Sequence, residues 1–441
     1  MSATEGRDPL RVGLAGLGTV GQSVAALLVG DAADGIARRA GRRIELKRVA
    51  SRTPKPDVDI GGVPFSTDLG SLVSNDVDVV VELIGGDTTA RDLVSSALGA
   101  GQCVVTANKA LLAACGDELF ALAQRQGAPL GFEASVAGGI PIINALRTGL
   151  AANDIGWIAG IVNGTCNYIL TQMALAGQSF ADALADAQRL GYAEADPTFD
   201  VEGIDAAQKL AILAALAFDT DIDIDGVHAE GIRGVDSEDI AYADELGFAI
   251  RHLGLARVAG DGLEARVHPA LVPNEVLLAK VDDVMNAVMV HGSAVGGTLH
   301  VGPGAGGMAT ASAVVADLIE AARGTLPTPI PASRRLPALG IRAVCCPWYL
   351  KIPAVDQPGV FAHVAEVLGE HGISIEAVIQ RPQDIHPGEA PWVPIVILTD
   401  EVAQEVIDDA VKAIESVEGV TGSVTHFRVV NPDALATQGD A

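Results

Sequence analysis

The residue types most suited to chemistry in this sequence are five carboxylates and a lysine that follow one another closely. Lys209 comes just after Glu194, Asp196, Asp200, Glu202 and Asp205, and a strongly apolar stretch surrounds and follows it. Asp205 and Lys209 are spaced i,i+4, so they adjoin on one face of a helix. In a buried helix such charges must be paired. The pattern favours an active-site wall, with Lys209 donating a proton and Asp205 holding it, over an ordinary surface ion pair.

The helix that carries this pair is predicted from its start signals and its apolar spacing. Asp200 is a favourable N-cap, and Glu202 would lie in the first turn, where a carboxylate suits the helix dipole. Apolar residues recur at i+3 and i+4 steps on one face: Ile204, Ala207, Ala211, Ala214 and Phe218. The other faces are apolar as well, which is typical of a buried helix.

Length and composition narrow the classes of protein. A chain of 441 residues predicts two or three domains. The formal charge of -27 argues against nucleic acid and against an anionic membrane surface as partners. Five cysteines without CxxC spacing fit a reducing compartment and neither a disulfide scaffold nor a zinc site. No signal peptide or membrane span is visible, so we expect a cytoplasmic protein.

The first elements predict a dinucleotide-binding fold. A short apolar strand, 10–15, runs into "GLGTVG", and an apolar helical stretch follows. Gly16 would make the turn, Gly18 would let the backbone approach a pyrophosphate, and Gly21 would allow the helix to pack on the strand. The helix N-terminus would then face the phosphates. A glycine-rich turn in another α/β fold is the alternative.

The end of the next strand, 42–52, bears on cofactor choice. An NAD-selective site would place an acid there for the ribose 2′-hydroxyl. This chain instead has Ser51 and Arg52, with Lys55 close by. A hydroxyl and cations suit a 2′-phosphate, so NADP(H) is favoured and NAD(H) stays open, with a solvated basic turn as the alternative.

Further polar residues follow predicted strands, at the edge where open α/β sheets bind ligands. Lys109 opens a helix after one strand, and its position fits a functional lysine as well as a surface one. Segment 132–146 predicts a strand, a small-residue loop and a helix. Within it, Glu133 and loop carbonyls suit a hard cation, although a solvent-facing turn is the alternative. Three residues of "NGTCN" suit either helix capping or a small polar ligand: Asn163, Thr165 and Asn167.

The last third predicts a separate module after the proline-rich linker 323–337. Its pattern is strand 348–355, helix 359–371, strand 373–380, strand 392–398, helix 402–416 and strand 420–429. This βαββαβ order is ferredoxin-like.

Several long motifs resemble the homoserine dehydrogenase family. They are "VVTANKALLA", "GIVNGTCNYIL", "GYAEADPTFDVEGIDAAQKLAIL" and "GAGGMATASAV", in order within residues 8 to 325. "AVDQPGVFAHVAEVLGEHGISIEAV" resembles an ACT domain, with its DxPG turn. The resemblance implies an α/β chain: a Rossmann-type NAD(P)-binding domain at 1–137 and an α+β substrate and dimerisation domain at 138–305. A return helix and linker at 306–337 and an ACT-like regulatory domain at 338–441 would follow.

The resemblance also implies a reaction and its residues. The reaction is reversible NAD(P)H-dependent reduction of L-aspartate 4-semialdehyde to L-homoserine, in threonine and methionine biosynthesis. Lys209 would donate the proton, with Lys109 beside the nicotinamide. Homoserine would lie against Glu194, Asp205, Asp200, Tyr192 and Thr165. Together with the fingerprint, the expected cofactor contacts are Gly16, Gly18, Thr19, Val20, Gly21, Ser51, Arg52, Thr88, Lys109, Gly191, Gly304 and Gly306. A monovalent cation, usually sodium, would bind Glu133 and the backbone oxygens of Val136, Gly138 and Ile140.

For the ACT-like domain, the resemblance implies sheets that pair between subunits of a homodimer or homotetramer and an amino acid bound at the seam. Asp356 and Gly359 are the effector positions, and L-threonine is the expected inhibitor; a purely structural dimerising module is the alternative.

Two other functions of the whole protein stay open. Another Rossmann-type amino-acid dehydrogenase that oxidises aldehydes would need a nucleophilic cysteine, and Cys166 has no histidine near it in sequence. A non-enzymatic amino-acid sensor would not need the lysines and carboxylates.

Overall fold

The computed structural model describes residues 8–381 and 392–431, and it begins with a parallel sheet. The strands of this sheet are β1 (Leu10–Ala15), β2 (Ile44–Ala50), β3 (Phe65–Ser66), β4 (Val79–Glu82), β5 (Cys103–Thr106) and β6 (Leu130–Gly131). The helices are α1 (Thr19–Val29), α2 (Ala33–Ala40), α3 (Thr88–Gly99) and α4 (Lys109–Gln126). The spatial order β3-β2-β1-β4-β5-β6 is that of a Rossmann-type fold. Its central strands are buried aliphatic runs, as a sheet covered on both faces requires.

The middle of the chain forms a mixed layer of helices on a largely antiparallel sheet. Its strands are β7 (Ile155–Ile161), β8 (His228–Ala229), β9 (Phe248–Ala259), β10 (Gly262–Pro273), β11 (Met285–Gly292) and β12 (Gly296–Pro303). Its helices are α5 (Ile142–Asn144), α6 (Gly164–Ala176), α7 (Phe180–Leu190), α8 (Thr198–Val201), α9 (Ile204–Phe218), α10 (Ser237–Glu245) and α11 (Gly307–Arg323). Helix α9 packs on β9 and β10, and α11 returns to pack on α1.

The last part of the chain has the predicted ferredoxin-like order. It contains β13 (Cys345–Cys346), β14 (Trp348–Val355), β15 (Ile375–Gln380), β16 (Trp392–Thr399), β17 (Val402–Ala403) and β18 (Thr425–Val429). Helices α12 (Val360–Glu370) and α13 (Gln404–Glu415) pack on this sheet. The sheet order β18-β14-β16-β15 is the 4-1-3-2 arrangement of the motif. The predicted fold class is thus confirmed: a Rossmann-type domain, an α+β domain and an ACT-type module.

The module is joined to the rest of the protein by its sheet. Strand β18 pairs in parallel with β10, with Ala270 opposite Arg428 and Leu271 opposite Val429. One continuous sheet therefore runs from β12 to β15. The open face of the module also shares an apolar core with the middle domain, where Tyr349 and Phe427 belong to one cluster with Tyr168 and Tyr242. One edge of the module is thus paired within the chain, so pairing between subunits would have to use the β15 edge.

The long buried helix starts later than its sequence predicts. Asp200 lies in the short helix α8, and Glu202 follows that helix, so neither is the N-cap or in the first turn of α9. Gly203 separates the two helices with a φ of 81°, a conformation that side chains with a Cβ rarely adopt. Ile204 was expected on the buried face, but 41% of it is exposed. The apolar pattern predicted the position of the helix correctly, but the helix begins at Ile204, after Gly203, and not at Asp200.

The segment around Glu133 also differs from its prediction. The strand ends earlier, as β6, and residues Glu133–Ser135 form a 3₁₀ turn. Glu133 is only 2% exposed. Its two carboxylate oxygens accept hydrogen bonds from the backbone N–H groups of Ile143 (2.9 Å) and Asn144 (2.7 Å). The alternative of a solvent-facing glutamate is therefore wrong, because this carboxylate caps the start of the following helix.

Among the residues described, none of the helices combines the length and apolar character that crossing a bilayer requires.

Deleting residues 338–441 should destabilise the whole protein. The deletion uncovers the β10 edge and the apolar cluster that contains Tyr168 and Tyr242, and each large side chain exposed costs about 1.5–3 kcal/mol. We expect the melting temperature to fall by roughly 10 °C or more, measured by differential scanning fluorimetry. A truncated protein that stays monodisperse in size-exclusion chromatography and melts like the full chain would contradict this.

Candidate active site

A cavity of about 630 Å³ lies where the Rossmann-type domain meets α6, α9 and the start of α11. Its lining contains each of the predicted catalytic and substrate-binding residues: Lys109, Thr165, Tyr192, Glu194, Asp200, Asp205 and Lys209. It also contains Gly138, Gly191, Gly304 and Gly306. Residues that are far apart in sequence are thus brought to one cavity, which is lined by charged groups and by glycine-containing loops.

Asp205 is the shared partner of the two lysines. One carboxylate oxygen accepts a hydrogen bond from Lys209 Nζ at 2.7 Å, and the other lies 3.2 Å from Lys109 Nζ. The side chain of Asp205 is only 8% exposed. Lys209 Nζ also donates to the backbone oxygen of Val162 at 2.7 Å. The sequence predicted the first pair from its spacing, but Lys109 comes from α4 and reaches Asp205 only through the tertiary fold.

The electrostatics of the site keep Asp205 ionised. Burial alone would raise its pKa, but the charges of Lys209 and Lys109 outweigh burial, and the pKa of Asp205 lies below its ordinary value. For Asp200, burial dominates and raises the pKa. The Asn163 amide donates to both carboxylates, at 2.8 Å in each case. Asn163 thereby fixes the two acids relative to each other, a role that its sequence position did not indicate.

The three polar residues of the "NGTCN" turn have separate roles. The side-chain oxygen of Asn163 accepts from Cys166 N at 2.8 Å and caps α6. Thr165 donates instead to the backbone oxygen of Tyr192 at 2.6 Å, which ties the turn to the substrate side of the cavity. Asn167 donates to backbone oxygens of the segment before β11. Capping, the default interpretation, holds for Asn163 alone.

The glycine-rich turn fits a bound dinucleotide. Gly16 has a φ of 100°, and a Cβ there would lie 2.5 Å from the backbone oxygen of Leu83. A Cβ on Gly21 would collide with the Gly16 carbonyl, so the helix can approach the strand only with glycine here. Among the described residues, apart from the chain next to Gly18 itself, no atom lies within 4 Å of its Cβ position, which leaves the backbone open to a pyrophosphate.

A second helix begins beside the first. A Cβ on Gly307, the first residue of α11, would lie 2.9 Å from both Thr19 and Ser23 of α1. The positive ends of two helix dipoles therefore adjoin, with Thr19 and Val20 in the first turn of α1. The Gly304–Gly306 loop that leads into α11 lines the cavity, so phosphate groups would lie between the fingerprint and the reacting residues.

The remaining cofactor candidates follow strands of the parallel sheet. Ser51 and Arg52 come directly after β2, and Thr88 begins α3 after the β4 loop. That loop is held by Glu82, a buried residue that the sequence analysis missed. Its carboxylate accepts from Ile84 N (2.8 Å), Gly85 N (3.2 Å) and Thr106 Oγ1 (2.6 Å). The only signal was a carboxylate closing the apolar strand "VVVE".

The loop proposed to hold a cation is built onto the cofactor side. Gly139 N donates to the backbone oxygen of Pro303 at 2.9 Å, next to the Gly304–Gly306 loop. The Ile140 oxygen already accepts a hydrogen bond from Ile142 N at 2.8 Å. Within residues 8–381 and 392–431, no group of three or more His, Cys, Asp and Glu side chains suits a metal ion. A cation here would depend on backbone oxygens together with Glu133.

The two proposed effector positions lie apart from the cavity. Asp356 and Gly359 are exposed on the turn between β14 and α12, and Gly359 has a φ of 100°. Neither residue lines the catalytic cavity.

Comparison with known proteins agrees with this architecture. Residues 16–133 match the family model of the homoserine dehydrogenase NAD-binding domain, residues 141–319 that of homoserine dehydrogenase, and residues 349–419 that of the ACT domain. The chain is 50% identical to a homoserine dehydrogenase of Pseudomonas aeruginosa, over 96% of this chain and 99% of that protein.

Solved structures agree as well. The crystal structure of a homoserine dehydrogenase from Thiobacillus denitrificans matches with a TM-score of 0.88 at 45% identity, over 96% of this chain and 99% of that one. A hyperthermophilic archaeal homoserine dehydrogenase in complex with NADPH matches with a TM-score of 0.60 at 27% identity, over 74% of this chain and 100% of that one. The chain therefore belongs to the homoserine dehydrogenase family.

Proposed function

We propose that this protein catalyses the reversible reduction of L-aspartate 4-semialdehyde to L-homoserine, on the route to threonine and methionine. The observation that carries the proposal is Asp205, which lies between Lys109 and Lys209 in a cavity that Glu194 also lines. Reduction of an aldehyde needs a proton donor at the carbonyl oxygen. An amino-acid substrate needs carboxylates for its ammonium group. This cavity offers both.

Lys209 is proposed as the proton donor. When bound, the nicotinamide supplies the hydride that reduces the aldehyde carbon, and negative charge develops on the oxygen. A protonated lysine within hydrogen-bond reach stabilises that charge and donates the proton from Nζ. Asp205 and the Val162 carbonyl hold this Nζ in one position. In the oxidative direction the same lysine accepts the proton of the substrate hydroxyl.

Substrate selection is assigned to the acidic side of the cavity. Glu194 is exposed to the cavity and suits the substrate ammonium group. Asp200 and Thr165 line the same side, and the edge of the Tyr192 ring meets Tyr168, with ring centres 5.0 Å apart. Lys109, whose Nζ is 5.5 Å from the centre of the Phe199 ring, would lie beside the nicotinamide.

A dehydrogenase that oxidises aldehydes through a cysteine is the less favoured alternative. Cys166 is buried, its thiol donates to the Asp200 carbonyl, and burial raises its pKa well above the ordinary value. A thiol in this state is a poor nucleophile. A non-enzymatic sensor is also disfavoured, because it would have no use for two lysines paired with one buried carboxylate.

NADP(H) is the proposed cofactor, a sodium ion the proposed structural cation, and a homodimer or homotetramer the proposed assembly. Ser51 and Arg52, with no acid at the end of β2, support the cofactor choice. The archaeal relative with NADPH bound supports it too.

The proposed sodium ion would hold the loop of Val136, Gly138 and Ile140 in place next to the Gly304–Gly306 loop. Val295 and Val301, both about half exposed near the β12 edge, support self-association.

Replacing Lys209 with methionine should abolish most of the activity. Loss of the proton donor is expected to lower kcat for homoserine-dependent NADP+ reduction by about 10²- to 10⁴-fold. Absorbance at 340 nm measures the rate. Lys412→Met, at an exposed lysine on α13, is the matched control and should retain full activity. A folded Lys209→Met protein with wild-type kcat would move the proton donor elsewhere, and a wild type inactive with both cofactors would overturn the substrate assignment.

Arg52→Ala should weaken NADP+ selectively. A charge-assisted contact to the 2′-phosphate contributes about 1.5–3 kcal/mol, so we expect the KM for NADP+ to rise roughly tenfold or more and the KM for NAD+ to stay constant. Steady-state titration of both cofactors measures the change. Arg43→Ala, at an exposed arginine before β2, should change neither value. Equal effects of Arg52→Ala on both cofactors would contradict recognition of the phosphate.

Threonine inhibition is proposed to act through the turn between β14 and α12. Deleting the module would expose the apolar cluster that it shares with the middle domain and would destabilise the protein. Point variants therefore test inhibition more directly. We expect Asp356→Asn and Gly359→Ala to raise the half-inhibitory threonine concentration about tenfold or more while uninhibited kcat stays the same. Inhibition unchanged in both variants would contradict this binding site. A wild type insensitive to threonine would favour the purely structural role of the module.

A further inference from the structure

The ACT-type module contributes a buried arginine that contacts the domain carrying Asp205 and Lys209. Arg428 lies on β18 with its side chain only 3% exposed. Its guanidinium lies 5.1 Å from the Trp348 ring centre and donates to Gln404 at the start of α13. Both terminal nitrogens also donate to Glu230, at 2.9 and 2.8 Å. A bidentate pair of this kind fixes orientation as well as distance. Glu230 Oε1 also lies 2.6 Å from Nε2 of His228 on β8, so the module and β8 together hold the Glu230 side chain in one place.

Glu230 is equally well fixed to the catalytic domain. Its backbone N–H donates to Val267 on β10 at 2.8 Å. Its backbone oxygen is 2.9 Å from Nε2 of His252, a buried residue on β9. Burial lowers the pKa of His252, and the nearby charge of Asp205 acts against that effect. The contacts thus lead from β18 through Glu230 to His252, whose ring lies against Gly203 in the turn before α9.

The backbone at Glu230 packs directly against the turn that leads into α9. A Cβ on Gly203 would lie 3.1 Å from the Glu230 carbonyl oxygen, and a Cβ on Gly231 would collide with the Val201 carbonyl. The ring of His252 lies at the same place, 3.3 Å from the Gly203 Cβ position, so Gly203 packs against both the Glu230 carbonyl and His252. Since Gly203 is two residues before Asp205, a displacement of Glu230 is passed to the start of α9.

We propose that Arg428 and Glu230 are positioning residues, through which the ACT-type module sets the place of Asp205 and of the lysines it holds. The inference rests on the proposed function, since it takes Asp205 and Lys209 as reacting machinery. The module is then part of the catalytic unit even without an effector. A movement of β18 would change turnover by displacing one carboxylate.

A second ionic contact between the same two domains supplies the control. Lys351 on β14 is 2.6 Å from Asp236, 2.9 Å from Asp239 and 3.4 Å from Glu238. These acids belong to the N-terminal end of α10. Lys351 therefore joins module and domain at α10, whereas Arg428 joins them at Glu230. A variant at Lys351 weakens the docking of the module without touching the proposed connection.

The experiment compares the full-length wild type with Glu230→Gln, with the double variant Glu230→Gln/Arg428→Gln and with Lys351→Met. Two readouts are taken: steady-state kinetics across pH, and hydrogen exchange by mass spectrometry in peptides covering residues 198–210. The exchange readout needs no substrate, so it decides the inference even if the wild type fails to turn over homoserine. The kinetic result for the wild type decides the proposed function separately.

For both Glu230 variants we expect faster exchange at 198–210 and a kcat roughly tenfold lower, because a displacement of a catalytic group by about 1 Å is costly. The KM for NADP+ should change less than about twofold. The pH profile of kcat should shift, since Asp205 faces Lys209, Lys109, Asp200 and His252. Lys351→Met should lower the melting temperature and leave exchange at 198–210 and kcat unchanged. The proposal fails if Lys351→Met reproduces the Glu230 effects, or if the folded Glu230 variants keep wild-type exchange and kcat.

Discussion

The active site depends on one buried carboxylate that two lysines share. Lys109 comes from the Rossmann-type domain and Lys209 from α9, and both meet Asp205 at hydrogen-bond or ion-pair distance. Two cations this close would repel each other, and an isolated carboxylate this buried would take up a proton. The buried charge of Asp205 is therefore stabilised by the two lysines, and its negative charge allows their two ammonium groups to lie close together. This requirement fixes how the two domains meet at the cavity.

The second constraint is close packing at glycines, where one segment approaches another because the glycine itself has no side chain. The start of α11 lies against α1 at Gly307, and the turn before α9 lies against Glu230 at Gly203. The first of these contacts brings the N-termini of α1 and α11 together beside the glycine fingerprint. Such contacts also make the site stiff, because a close-packed backbone contact transmits displacement instead of absorbing it. Some of the fifty glycines of the chain thus have a role in the site as well as in turns.

What could be predicted from the sequence was local. The i,i+4 spacing of Asp205 and Lys209 predicted their contact, and the glycine fingerprint predicted the turn after β1. The contact of Lys109 with Asp205 could not be predicted, because it depends on how α4 and α9 meet. The start of α9 was misplaced because Asp200 is a good N-cap in isolation, whereas in the fold its carboxylate accepts from Asn163. The tertiary hydrogen bond from Asn163 to Asp200 thus takes the place of the N-cap interaction expected from the local sequence.

The pairing of β18 with β10 was also beyond sequence analysis, since a ferredoxin-like pattern does not say what its edge strand meets. That pairing limits how far the module can move relative to the catalytic domain, and therefore how an effector could act. A module on a flexible linker would act by moving as a separate body. This one shares with the catalytic domain a sheet, an apolar core and ionic contacts through Lys351, Arg381 and Arg428. An effector bound at the turn between β14 and α12 would therefore act through small shifts within a continuous sheet. Glu230 is hydrogen-bonded to β10 and packs against the turn before Asp205, so in our proposal a small shift of the sheet would reach the carboxylate that holds the proton donor.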